Sequence, residues 1–129
     1  MSYGFYPSAQ QVAFVPDQLI AGNLKLVTET VTFAKGNTLQ RGQVVGQVTA
    51  TGKYIPCVKT ATDGSQTPCG IVVDEVDASA ADATGAIYEM GEFNSNYMIF
   101  DASWTVDTLK PALRQFSIFV KTGESNAIV

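Results

Sequence analysis

The hydrophobic positions of this chain recur at the spacing of β-strands. Through residues 39–56, Val44, Gly46 and Val48 share one parity and Gln43 and Gln47 the other. Glycines at 36, 42, 46 and 52 punctuate β-branched residues. A period of two broken by glycines predicts strands joined by tight turns, not a helix. Leu24 and Leu26 alternate with polar neighbours, and Val31 and Phe33 do so again after a change of register near Val27. Lys35-Gly36-Asn37 predicts a turn. Pro68-Cys69-Gly70-Ile71-Val72-Val73 is a short apolar run of the kind a buried strand shows. Residues 77–85, small and acidic, read as a loop, and residues 86–90 as a strand. Gly91-Glu92-Phe93-Asn94 reads as a turn-rich junction before residues 97–100. Residues 117–121 read as the last strand.

One helix is expected. Leu109, Leu113 and Phe116 fall at i, i+4 and i+7, which is one helical face. Thr108 is the predicted cap, and Pro111 then falls in the first turn, where its missing N–H costs nothing. The pattern as a whole predicts a mainly β protein with one short helix near the C-terminus.

The first residues follow neither period. Residues 1–22 hold Tyr3, Phe5, Tyr6, Phe14, two prolines and a single charge, Asp17. Disordered tails are usually poor in aromatics and rich in charge. The composition therefore predicts an extended arm, residues 1–22, that buries its aromatics against a partner, as a strand added to a neighbour's sheet edge would. A β-rich domain, residues 23–129, follows it.

Composition narrows the function. At 129 residues the chain is expected to form one domain. Only 16% of residues are charged against 46% hydrophobic, which leaves apolar surface available for partners. The net charge is −4 and the eight Lys and Arg do not cluster, so no basic patch for nucleic acid is expected. There is no histidine, which removes the commonest general base and the commonest metal ligand. No run approaches the ~20 apolar residues that cross a bilayer. Residues 1–22 lack Lys and Arg and are interrupted by Pro7 and Pro16, so no export signal is expected.

Candidate chemistry is sparse. Cys57 and Cys69 stand symmetrically about Asp63. A hairpin turn at residues 62–64 would bring them face to face, either as a cross-strand disulfide or as two reduced, buried thiols. The absence of an export signal favours the thiols. Asp74, Glu75, Asp77 and Asp82 could hold a hard cation, but they lack the spacing of a calcium loop and read as a solvated acidic loop. Gly42 and Gly46 form neither a dinucleotide nor a phosphate loop. Cys57 has no histidine to activate it. Trp104 is either core filler or a stacking surface for a ligand. No catalytic residue, metal ligand or cofactor site is expected.

Several of these segments, taken in order, resemble the lambda-type bacteriophage head decoration proteins, the capsid-stabilising head protein D family. The resemblance runs through Leu39-Gln40-Arg41-Gly42 with Val44 and Gly46, then Val48-Thr49-Ala50-Thr51-Gly52-Lys53-Tyr54. It continues through Pro68-Cys69-Gly70-Ile71, Asp77-Ala78 with Ala81-Asp82-Ala83, and Gly91-Glu92-Phe93-Asn94. It closes with Leu113-Arg114 and Ile118-Phe119-Val120-Lys121. The resemblance implies a small single-domain barrel of β-clip or β-tulip type that catalyses nothing. It implies a homotrimer bound to the major capsid protein, outside an expanded icosahedral head, at three-fold and quasi-three-fold positions. There it would resist the pressure of packaged DNA, with no nucleic-acid or membrane partner. It implies synthesis in the host bacterial cytoplasm and residence on the virion. It also assigns Tyr3, Phe5, Tyr6 and Phe14 to capsid contact. The alternative is a tail or fibre-associated β-module that binds a host surface ligand, which Trp104 and Tyr97 in an exposed groove would favour.

Overall fold

A computed structural model describes residues 19–22 and 24–121. The expected arm aromatics Tyr3, Phe5, Tyr6 and Phe14 lie outside the described residues. The strands are β1 (Val27–Phe33), β2 (Asn37–Leu39), β3 (Val44–Gln47), β4 (Tyr54–Pro56), β5 (Pro68–Val72), β6 (Val76–Ala78), β7 (Ala83–Asn94) and β8 (Ile118–Lys121). One helix, α1 (Val106–Arg114), precedes β8.

Five strands close into a barrel in the order β1-β4-β3-β5-β7, with β1 paired back onto β7. The β1–β7 seam is antiparallel and runs from Val27↔Met90 to Phe33↔Ala83. The seam between β1 and β4 is one parallel pair, Phe33↔Tyr54. β8 lies outside the barrel, parallel to the last four residues of β7, from Gly91↔Ile118 to Asn94↔Lys121. β2 and β6 form a separate two-stranded ladder.

Residues 91–94 are strand, not the expected junction. β7 is 12 residues long and serves two groups of partners, β1 and β5 with its first part and β8 with its end. Two features bend it between them. The register against β1 shifts at Val27/Thr28, where the sequence pattern also changes, and Gly91 adopts φ +153°. An extra residue or a glycine in a strand increases local twist and lets it turn a corner. Likewise, most of the expected loop at 77–85 is taken up by β6 and the start of β7.

The wall strands are covered on both faces. Val45, Val72 and Ile87 join Phe33 in one core cluster, which also takes Leu39 and Ala78 from the β2–β6 ladder. Their neighbours Val44, Ile71 and Tyr88 join a second cluster with Leu109 and Leu113 of the helix and Ile118 of β8. Consecutive residues point to opposite faces of a strand, so adjacent apolar pairs such as Val44-Val45 and Ile71-Val72 are what a doubly covered strand requires.

The helix cap lies three residues before the expected one. Thr105 is the N-cap, and it and Thr108 cap each other: the Thr108 N–H donates to Thr105 Oγ1 (3.2 Å) and the Thr105 N–H to Thr108 Oγ1 (3.0 Å). Pro111 therefore stands in the second turn. Its missing N–H leaves the carbonyl of Asp107, an exposed residue, without its helical donor. Leu109 and Leu113 are buried as expected, but Phe116 lies past the helix end and is 38% exposed. The chain turns sharply there, at Ser117 with φ +65°.

Candidate functional site

Residues 19–21 pair with the end of β7. The Asn94 N–H donates to the Leu19 carbonyl (2.6 Å), the Ala21 N–H donates to the Glu92 carbonyl (2.9 Å), and Ile20 stands opposite Phe93 in antiparallel register. Leu19 is 2% exposed and packs in the cluster beneath the helix. Residues 19–21 thus occupy one edge of the end of β7, while β8 occupies the other. The root of the expected arm is a structural part of the body, one strand position further along β7 than β1. Leu19 lies beside Asn94 and hence beside the single turn of 3-10 helix at Ser95–Tyr97. Tyr97 is 45% exposed there, and Ile99 beyond it is also exposed.

The expected chemistry is dispersed. Among the described residues, no three His, Cys, Asp or Glu side chains are grouped to hold a metal ion. Asp77 accepts from the Ser79 hydroxyl (2.6 Å) and N–H (3.0 Å), and these bonds hold its carboxyl below the usual range. Asp82 is held low by the Lys53 ammonium and by the Lys35 N–H (2.7 Å). These two carboxylates fasten turns.

The hairpin expected between the cysteines is absent. β4 and β5 each pair with β3, so β3 runs between Cys57 and Cys69. Both are free thiols. Burial pushes the Cys57 thiol up to about 12, against a small opposing effect of the Trp104 indole N–H. Burial raises Cys69 as well. Neither carries the thiolate that a nucleophile needs at neutral pH.

Trp104 is buried, with the Lys59 ammonium 5.6 Å from the centre of its ring. Its indole N–H is enclosed without a hydrogen bond of normal geometry. It is core, not a stacking surface. Two surface hollows among the described residues lie elsewhere than at Trp104. One, of about 380 Å³, is lined by Glu29, Thr30, Thr32, Lys53 and Tyr54 among others. The other, of about 210 Å³, lies between Gln47, Gly64, Cys69 and Phe116. Neither brings together an acid, a base and a nucleophile in the manner of an active site.

A family model for bacteriophage lambda head decoration protein D matches residues 9–119. The chain belongs to this family. A comparison with curated proteins finds no match. The decoration-protein match takes in Phe14, the arm root at 19–21, the whole barrel and the helix, and it leaves out Tyr3, Phe5 and Tyr6. Head decoration proteins are structural components of the phage capsid rather than enzymes. A capsid-binding role on the virion follows for this chain, in accord with the dispersed chemistry. The described features that bear on it are the arm root on β7 and the exposed apolar residues beside it. Sequence reading did not single out Leu19 or Glu92, because their partners (Asn94 for Leu19; Ala21, Leu24 and Lys121 for Glu92) come from segments distant along the chain.

Proposed function

We propose that this decoration protein binds the outer surface of an expanded icosahedral phage head as trimers, at three-fold and quasi-three-fold positions. It holds neighbouring major capsid subunits together against the pressure of packaged DNA. The arm carries the main contact, through Tyr3, Phe5, Tyr6 and Phe14.

The observation that supports this reading is the insertion of residues 19–21 into the sheet. A load on the arm is passed along β7 as shear across hydrogen bonds and a buried leucine, not through a slack linker. An arm of 18 residues reaches at most about 60 Å when extended, enough to pass from one subunit to the next. Clamping needs contact area rather than chemistry: a standard protein interface buries about 1,600 Å², and three copies acting together gain avidity from individually weak contacts. The tail or fibre reading loses one of its two aromatics, since Trp104 is buried, and keeps the exposed Tyr97.

The deciding experiment mixes purified protein with expanded heads that lack decoration, then sediments and images them. Co-sedimentation, added density at three-fold positions and greater resistance of the heads to heat are expected. Protein left wholly in the supernatant would sink the proposal.

A further inference from the structure

Glu92 touches every piece of chain that meets at the arm root. Its Oε2 accepts the Leu24 N–H (3.0 Å), and its Oε1 pairs with the Lys121 ammonium (3.0 Å) at the end of β8. Its carbonyl accepts the Ala21 N–H (2.9 Å). Gly22 lies flat against the carboxylate: a Cβ there would come within 2.3 Å of Oε1. The Lys121 and Leu24 contacts hold the carboxyl below its usual range, so the group is charged at neutral pH.

We infer that Glu92 is a positioning residue for the N-terminal arm, a latch that sets where the arm leaves the body and in which direction. The inference rests on the proposal that the arm binds the capsid. A carboxylate suits this place because it accepts only. One oxygen takes a backbone donor from the segment that joins the arm to β1, and the other takes a cation from the far side of β7. The segment at 21–24 is thereby held by its backbone on one side of Glu92, and β8 by its terminal lysine on the other. The absent side chain at Gly22 is part of the device, since a methyl group would displace the carboxylate from both partners. The ladder of residues 91–94 with β8 uses backbone groups and does not depend on the Glu92 side chain.

The test uses the full-length protein and its E92A, E92Q and G22A variants. Amide exchange is read at Leu24 and, for comparison, across β3 and β5. In E92A the slowed exchange of Leu24 is expected to be lost, while β3 and β5 keep wild-type protection. E92Q retains an acceptor for Leu24 and is expected to keep part of that protection. G22A is expected to behave like E92A. Protease cleavage near residues 19–24 should rise in the same order. Unchanged exchange at Leu24 in E92A overturns the inference, as does an equal loss of protection throughout the barrel, which would mark a merely structural role. Binding to bare heads is measured in parallel. Weaker binding by E92A supports both latch and arm, whereas a freed Leu24 with undiminished binding supports the latch and overturns the arm's capsid role.

Discussion

Gly46 of β3 lies flat against the backbone of Ser65: a Cβ on Gly46 would stand 2.1 Å from the Ser65 carbonyl oxygen. Ser65 is fully buried, and its N–H and hydroxyl both donate to the Asp63 carboxylate. The loop between β4 and β5 is therefore pinned over the central barrel strand and has no room to retreat. Gly46→Ala forces backbone, not a side-chain tip, to move. Overpacking of this kind costs about 1–3 kcal/mol. Denaturant unfolding is expected to show a midpoint lowered accordingly, with an unchanged slope; a wild-type midpoint would contradict the packing described.

Leu113 and Phe116 were expected on one helical face, and the structure separates them. Leu113 is fully buried between α1 and the barrel wall, while Phe116 stands past the end of the helix. Leu113→Ala leaves a cavity under the helix and should cost about 2–5 kcal/mol. Phe116→Ala should cost much less than that. Thermal or denaturant unfolding of the two variants checks the order, and equal losses would show that Phe116 packs as core.

Strand existence was readable from parity and glycine spacing, and the register change near Val27 coincides with an actual slip of β1 against β7. Burial was less readable. Alternation suggested one covered face for residues 44–48, but Val44 and Val45 are both buried because the helix covers the outside of the wall. That cover comes from Leu109, Leu113 and Ile118, all more than 60 positions further along the chain. The stretch at 91–94 looked like a turn because glycine and asparagine usually mark one; tertiary pairing with β8 on one edge and Ile20 on the other overrides that preference. Thr108 looked like a cap and is in fact the third helical residue of a reciprocal pair. The aromatic arm expected from composition lies, but for its root at 19–22, outside the described residues. The attachment of that root was not legible, since Glu92 and Leu24 meet only once β7 has formed.

The two thiols carry a pH signature. The pKa of Cys57 is raised to about 12, and that of Cys69 is raised too, by burial of the neutral form. A raised folded-state pKa contributes stability that is fully present below the unfolded value of about 8.5 and is lost as pH rises toward about 12. The thermal midpoint is expected to fall across that alkaline window. At pH 8 an aromatic disulfide reagent should leave Cys57 unmodified in the native protein and titrate both cysteines in denaturant. Rapid reaction of Cys57 in the native state, or no titratable thiol after unfolding, would refute the assignment.

Carboxylates set the acid side. Asp63, Asp77, Asp82, Asp101 and Glu92 all have lowered pKa values, through bonds from Ser65, Ser79, Lys53, Ser103 and Lys121 respectively. Their contribution is present above the unfolded values near 4 and disappears as pH falls through the folded ones. Glu89 has the opposite sign. Its hydrogen bond with Glu29, its partial burial and the repulsion from Glu29 raise it, so its ionisation works against folding as pH rises through its folded pKa. Glu89→Gln is therefore expected to raise the thermal midpoint at pH 7 and to leave it nearly unchanged at pH 3. A gain of the same size at both pH values would show that charge is not the cause.

The pairing of residues 19–21 with β7 separates two truncations that otherwise look alike. Removing residues 1–18 deletes the four arm aromatics and leaves Leu19 in the core, with its carbonyl still accepting the Asn94 N–H. Removing residues 1–21 also takes the buried Leu19 and both hydrogen bonds to the end of β7. Loss of a buried leucine alone costs about 2–5 kcal/mol. Both truncated proteins are expected to lose affinity for expanded heads, because both lack Tyr3, Phe5, Tyr6 and Phe14. Only the longer truncation should lose stability, by a lowered unfolding midpoint. If the shorter one binds heads as tightly as the full chain, the arm is not the capsid contact, and the exposed face around Tyr97 and Ile99 becomes the place to look. If the longer one is as stable as the full chain, Leu19 is not part of the core and the arm root is a tether rather than a strand.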